Sequence, residues 1–433
     1  MASVEQLLAL LARQGPLQAS ELALQLGVSQ PTLSRLITAA GEQVCRMGRG
    51  RATRYARTRA LPELGTRLPV HRVDEAGRVR PHGVLHLLAG GGHWFEGEDG
   101  EGEHFEGLPP FAADMSPQGY VGRSFTARYP ELDLPARITD WNDDHRLVAL
   151  ARRGEDCVGD LILGEESLNR FLAEEPRPVR RDSYPELVRA SLAGQPGASA
   201  GGEQPKFLTY SEGRHVLVKF AGGDDGAAAR RWKDLLTCEH LALQAVRAAG
   251  IPAASTSTLE LGNHRLLEVE RFDRVGVRGR KPLLSLGAID DEYFGHRDTW
   301  TRAARRMLEA RLISEEDARR TRWLDTFGQL TGNTDRHFGN LCFFEEGPKQ
   351  FRLAPIYDML PMMFAPVDTN IIERTFEPRP PTADTLEVWP DAARHAAEYW
   401  TRLEREPTLS GALRAHCARY REAVSALMQR ALV

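Results

Sequence analysis

The stretch TGNTDRHFGN, residues 331–340, sets a carboxylate and an amide five residues apart, Asp335 and Asn340, with His337 between them. Its plain reading is a polar turn. Its chemical reading is that both groups point into one cavity, Asp335 accepting a proton from a hydroxyl and Asn340 offering an amide oxygen to a hard cation. Downstream, residues 341–344 and 350–353 read as a short hairpin that leads to Ala354-Pro355-Ile356-Tyr357-Asp358, so a second carboxylate is delivered to the loop and could share Mg²⁺ with Asn340. His337 is a further candidate catalytic residue, better suited by its place to orienting the loop backbone than to titrating.

Upstream, SAGGEQPKF (199–207) invites comparison with a phosphate loop, but Gly197 to Gly202 is followed by Glu203 and the G-x-x-x-x-G-K-[ST] pattern fails. What remains is a pair, Gly201 and Gly202, able to turn backbone N–H groups on phosphates, with Gln204 and Lys206 beside it. Residues 207–210 and 215–220 (HVLVKF) read as strands around the turn 211–214, with Val216, Val218 and Phe220 on one face and Leu217 and Lys219 on the other. A lone ammonium on a partly apolar surface is costly without an anion. The helix expected over 228–249 supplies one: Leu235, Leu236, Ala242, Leu243 and Val246 form its apolar stripe and Glu239 falls inside it. A strand lysine paired with a helix glutamate beneath a Gly-rich loop, followed by Asp/Asn and then Asp, is the order protein kinases use to hold ATP and Mg²⁺.

At these residues the chain resembles the HipA-like serine/threonine kinase toxins, a family related in fold to phosphatidylinositol 3/4-kinases. The matching pieces are GEDCVGDLILG (154–164), SAGGEQPKF, VKF (218–220), CEHLAL (238–243), VERFDR (269–274), NTDRHFGN (333–340) and IYDML (356–360). The resemblance implies a bilobal kinase with a helical C-terminal lobe. Glu270 to Phe272 would touch adenine, Tyr357 would pack near the base, and Lys219 would contact phosphates. Asp335 would be the base, Asn340 and Asp358 the metal ligands, and Ser199 the loop serine whose autophosphorylation silences the enzyme. Family members commonly pair with a separate DNA-binding antitoxin; this chain carries a DNA-binding head of its own, as in the YjjJ-type subgroup, so an antitoxin or neutralisation in cis are both open. The segment 283–300 falls where the family's substrate-facing loop would lie and lacks its motif, so the protein substrate stays unnamed.

That head is the first 60 residues. Val4, Leu7, Leu8 and Leu11 recur at helical spacing up to Gly15-Pro16; a second helix is expected with Ser20 as N-cap, then the turn Gly27-Val28-Ser29 and a third helix over 30–40. Helix, Gly turn, helix is the geometry that lays a recognition helix in the DNA major groove, here with Gln30, Thr32, Ser34 and Arg35. Arg46, Arg49, Arg51 and Arg54 follow around Gly48 and Gly50 as an Arg-studded wing suited to phosphates. A helical protein-docking module with a solvated basic loop is the alternative. Eight Arg against three Glu give these 60 residues +5, while the chain as a whole carries −4, and that asymmetry favours DNA.

The 433 residues leave room for about three domains: a winged helix-turn-helix over 1–60, a β-rich part and nucleotide-binding lobe over 61–275, and a mainly helical catalytic lobe over 276–433. The fold class is thus α+β, multidomain. Residues 61–190 read as short strands and turns, with Glu75-Ala76-Gly77 as a hairpin turn and the Gly/acid run 96–107 as a solvated loop. Trp389, Tyr399, Trp400, Leu403, Leu413 and Leu427 read as helical core. Five scattered cysteines without a C-x-x-C pair read as reduced thiols, and with no apolar run of membrane length a cytoplasmic protein is expected. A homodimer suits a head that reads two half-sites. Two rival functions fit the same residues, a transcriptional regulator whose kinase body senses nucleotide and a small-molecule phosphotransferase.

Overall fold

The computed structural model describes residues 2–193, 204–224 and 226–431. They form two compact units, residues 1–117 with 130–175, and residues 118–129 with 176–433.

The first unit opens with α1 (Val4–Gln14), started by a capping box in which Gln6 N donates to Ser3 Oγ and Ser3 N to the Gln6 side chain, and stopped by Gly15 at φ +76°. After β1 (Leu17–Gln18) come α2 (Ala19–Leu26) and α3 (Gln30–Ala40). Ser20 is not the N-cap of α2. The helix begins earlier, at Gln18, because that residue is held extended by pairing with Arg54 and donates its N–H to Glu21 Oε2 at 2.8 Å. Strands β2 (Val44–Met47) and β3 (Arg54–Arg57) complete an antiparallel sheet of order β1-β3-β2. Leu7, Leu10, Leu11, Leu22 and Leu33 make the core of these 60 residues.

Next, β4 (Arg67–Val73), β5 (Val79–Leu87), β6 (His93–Gly97) and β7 (Gly102–Phe105) fold as successive hairpins. Gly77 at φ +77° makes the first turn, as its sequence foretold. The Gly/acid run 96–107 is not a loop, since β6 and β7 pair across it. Glycine permits this: a Cβ at Gly102 would lie 2.4 Å from the Trp94 ring, and one at Gly83 2.4 Å from Glu96 O. Helices α4 (Pro110–Met115), α5 (Gly119–Arg128), α6 (Asp143–Arg153) and α7 (Glu165–Ala173) also replace much of what read as strands and turns, while β8 (Leu161–Leu163) joins the sheet in the order β7-β6-β5-β4-β8. Of these helices α5 belongs to the second unit. Leu147 and Leu150 of α6 pack on Leu68, Val70, Leu85 and Leu163. The Arg-rich hairpin is sealed onto this sheet by Cys45, Met47, Ala56, Leu88 and Trp94 and by the bonds Arg59 N to Leu87 O (2.9 Å) and Ala89 N to Arg57 O (2.8 Å).

In the second unit, α8 (Tyr184–Ala193) precedes β9 (Lys206–Ser211) and β10 (Arg214–Gly222), then α9 (Ala227–Ala248), β11 (Thr256–Leu261) and β12 (His264–Glu270). The sheet order is β11-β12-β10-β9, antiparallel throughout. Val216, Val218 and Phe220 pack with Tyr184 and Leu266. The opposite face, with Ala221 and Leu267, takes Leu236 of α9. A short ribbon, β13 (Arg274–Val275) with β14 (Gly279–Arg280), leads to β15 (Leu283–Ser285), α10 (Leu286–Tyr293), α11 (Trp300–Glu309) and α12 (Glu315–Leu330). Strands β16 (Cys342–Gly347) and β17 (Gln350–Leu353) pair with β15 in the order β15-β16-β17, and α13 (Trp389–Arg405) and α14 (Gly411–Ala431) close the unit. Trp389, Tyr399, Trp400, Leu403, Leu413 and Leu427 are all buried in its core. The five cysteines are free, and burial pushes the Cys45 and Cys417 thiols up to about 12. Among the described residues no helix is long and apolar enough to cross a membrane.

Candidate active site

Lys219 sits near the end of β10 on the α9 side of the sheet, flanked by β12 and β9 and buried. Its Nζ donates to both oxygens of Glu239, at 2.7 and 2.8 Å, and to Asp358. Glu239 lies wholly inside α9's apolar stripe and is only 1% exposed, so an anion is buried there because a cation meets it. Burial opposes the Lys219 charge, but Asp358 and Glu239 outweigh it and raise its pKa. Burial likewise opposes ionisation of Asp358, yet Lys219 and Lys206 hold its carboxyl below the usual range. Glu239 is the carboxylate that yields: burial and the like charge of Asp358 push its pKa up against the pull of Lys219. Lys206 stands opposite Lys219 on β9, which puts two ammonium groups on one face beside these acids.

Asp358 adopts φ +54°, a left-handed conformation that few side chains tolerate. It follows Tyr357, whose hydroxyl donates to Gly339 O at 2.6 Å and whose ring lies 5.8 Å from that of Phe272. Phe272 also meets Phe344 edge-on at 6.0 Å. One aromatic cluster thus joins the VERFDR segment, the Asp358 segment and the loop 333–340. Glu270 turns its carboxylate to Arg214, 3.4 Å away.

In that loop, Asn340 is buried and donates Nδ2 to Asp335 O at 2.9 Å, which fixes its amide across the turn. Asp335 and His337 are both about half exposed, and His337 Nε2 lies 3.9 Å from Asp335 Oδ1. His337 Nδ1 accepts the Gly339 N–H at 3.0 Å, so in the neutral ring the proton sits on Nε2, facing Asp335. Among the described residues no three His, Cys, Asp or Glu side chains stand together as a metal site. A cation here depends on Asp358 with the amide oxygen of Asn340, hard donors that suit Mg²⁺.

The structure therefore brings Lys219, Glu239 and Asp358 into contact, ties Asp335 to Asn340, and links Tyr357 to Phe272. Gln204 donates its side-chain amide to Phe220 O at the edge of the same sheet. Ser199, Gly201 and Gly202 lie outside the described residues. The segment 283–300 begins as β15 and α10, not as a loop, because Ser285 caps the helix by accepting from Ala288 N at 3.1 Å. In the first unit, Gln30, Ser34 and Arg35 are exposed on α3, Thr32 is half-buried beside Ser29, and Arg46, Arg49, Arg51 and Arg54 are exposed along the β2–β3 hairpin. Sequence reasoning passed over Asn333, Asp325 and Arg336, which hold the loop from beneath. The signal was present: Asp325 falls among the buried residues of α12, as Glu239 does in α9.

A lysine clamped between a helix carboxylate and a loop carboxylate, facing an Asp/Asn loop, marks residues 176–433 as having the kinase-like fold of the HipA toxins. Comparison with known proteins agrees. The HipA-like C-terminal domain model matches residues 198–428, and the solved structure of Shewanella oneidensis HipA with HipB and operator DNA superposes with a TM-score of 0.56 at 17% identity, covering 84% of this chain and 97% of that one. The serine/threonine-protein kinase toxin HipA of Shewanella oneidensis is 25% identical over 228 residues, 46% of this chain and 51% of its own. The model for the middle domain of YjjJ-like toxins matches residues 64–172, and the toxin YjjJ of Escherichia coli (strain K12) is 36% identical over 415 residues, 93% of each chain. The chain belongs to the YjjJ-like branch of the HipA-like toxin family.

Proposed function

We propose that this protein is an ATP- and Mg²⁺-dependent serine/threonine kinase of the HipA toxin type, with a winged helix-turn-helix head that binds DNA. The observation that carries the catalytic part is the contact of Lys219 with Glu239 and Asp358 beside the Asp335/Asn340 loop. In this reading Glu239 holds Lys219 in place, and Lys219 with Lys206 meets phosphate oxygens. Phe272 and Tyr357 border the base, and Asn340 and Asp358 would hold the metal ion. When bound, Mg-ATP supplies the γ-phosphoryl group and the positive charge that offsets its developing negative charge. Asp335 takes the proton of the substrate hydroxyl, His337 steadies the loop through Gly339, and Ser199 is the candidate autophosphorylation residue. The substrate is a protein, and the head ties expression to kinase state, with neutralisation by an antitoxin or in cis. Family membership favours neither the nucleotide-sensing regulator nor the small-molecule phosphotransferase.

Two measurements test this. Asp335→Asn should lower phosphate transfer from Mg-ATP to protein by about a hundredfold or more and remove any growth inhibition; transfer unchanged by the substitution refutes the kinase reading. For the head, Arg49→Ala with Arg51→Ala should weaken binding across DNA sequences and reduce the slope of log affinity against log salt by about two. Affinity insensitive to salt in the parent chain refutes phosphate contact by this hairpin.

A further inference from the structure

Beneath the loop 333–340 lies a charged chain of contacts that the proposed chemistry does not itself use. Asp325, on α12, is 3% exposed. Its Oδ1 accepts from Arg336 Nε at 2.9 Å, and its Oδ2 accepts from Thr301 Oγ1 at 2.7 Å and Thr301 N at 3.2 Å, at the first turn of α11. Arg336, next to Asp335 in the chain, also donates Nη1 to Asn333 O. Asn333, itself buried, accepts the Asp335 N–H on its side-chain oxygen at 3.0 Å and donates its amide to Met359 Sδ at 3.4 Å, one residue beyond Asp358. The arginine reaches Asp325 by lying across α12 at Gly328, where a Cβ would stand 2.6 Å from Arg336 Cδ. Helices α11 and α12 are thereby connected to the backbone on either side of Asp335 through one ion pair, whose carboxylate is buried and whose guanidinium is partly exposed.

A partly buried ion pair is a poor source of net stability, since the cost of desolvating the carboxylate offsets much of the attraction. What it does impose is direction: the planar guanidinium ties two acceptors, Asp325 and Asn333, at fixed geometry. We infer that Asp325 and Arg336 are positioning residues for the phosphotransfer reaction, holding the 333–336 backbone so that the Asp335 carboxylate is aimed at the acceptor hydroxyl. The inference rests on the reading of Asp335 as general base. A displacement of about 1 Å at a reacting group is enough to cost two orders of magnitude in rate, whereas the nucleotide contacts assigned to Lys219, Lys206, Phe272 and Tyr357 rest on bonds and packing that include neither Asp325 nor Arg336.

The test compares the full-length wild type with Asp325→Asn, Arg336→Gln, their double variant, Arg336→Lys and Asp335→Asn. Each is assayed for initial transfer of labelled γ-phosphate from Mg-ATP to protein in a cell extract and to the chain itself, for affinity toward a non-hydrolysable Mg-ATP analogue, and for melting temperature. Asp325→Asn and Arg336→Gln should each slow transfer about tenfold or more with analogue affinity kept within about twofold, and the double variant should be no slower than the worse single one. Arg336→Lys, which keeps the charge but not the fork, should recover part of the rate. Rates equal to wild type, rates that fall only in step with the folded fraction, or single effects that multiply in the double variant overturn the inference. A wild type that transfers nothing, or Asp335→Asn as active as wild type, overturns the kinase reading and this inference together. An active wild type, an inactive Asp335→Asn and an unimpaired Asp325→Asn overturn this inference alone.

Discussion

Lys219 is counter-ion to two carboxylates at once, and its removal strands both. Lys219→Met leaves Glu239 without a cation in an apolar helix stripe, and breaking a buried pair from one side costs about 3–5 kcal/mol. Urea unfolding followed by tryptophan fluorescence should record that loss, with Glu239→Gln clearly milder, because the amide oxygen still accepts from Lys219 and Asp358 remains its counter-ion. A Lys219→Met chain as stable as the parent contradicts this account of the site. Residue identities such as these were the most legible part of the sequence. A glutamate inside an apolar helical stripe and a lysine on an apolar strand face each demand a partner, and the two demands answer one another. The contact between Lys219 and Asp358 was not legible, because it depends on a left-handed residue 139 positions away, and no periodicity reports such a closure.

At the level of elements, α1, α3 and α9 announced themselves through period and punctuation, α4 to α7 did not, and glycine hid the pairing of β6 with β7. The limits of α3 follow from the Gly27 turn and the apolar spacing, whereas the pairing of β6 with β7 rests on bare glycines in a run of acids that shows no alternation of apolar residues. The same hairpin touches the Arg-rich one: the Arg49 guanidinium lies over Gly100, where a Cβ would fall 1.5 Å from Nη2, and Gly100 has φ +75°. Gly100→Ala should therefore destabilise the first unit by about 1–3 kcal/mol through backbone strain alone, and by more while Arg49 is present. Adding Arg49→Ala should recover the second part but not the first. Thermal unfolding of the two variants and their combination checks it, and purely additive effects count against the contact.

For the whole molecule, the chain order and the division into units disagree. Helix α5 lies in sequence within the first unit and in space within the second, where Tyr120 is buried and its hydroxyl donates to Ser191 O at 3.2 Å. A fragment beginning at residue 176 should melt well below the intact chain, and a peptide of residues 118–129 added in trans should raise its melting temperature. A peptide without effect sinks the assignment, since a helix this short is not expected to persist alone and must gain its order from docking. Sequence patterns could not reveal this exchange, because α5 is ordinary as a helix and only its partner is unusual. The family match over 64–172 encloses these residues as though they belonged to the middle domain. Between relatives, then, a recombination breakpoint placed anywhere from residue 130 to 175 would unite one parent's α5 with the other parent's β9 and α8. A chimera joined there should therefore be less stable than either parent unless α5 is taken from the parent that supplies β9 and α8.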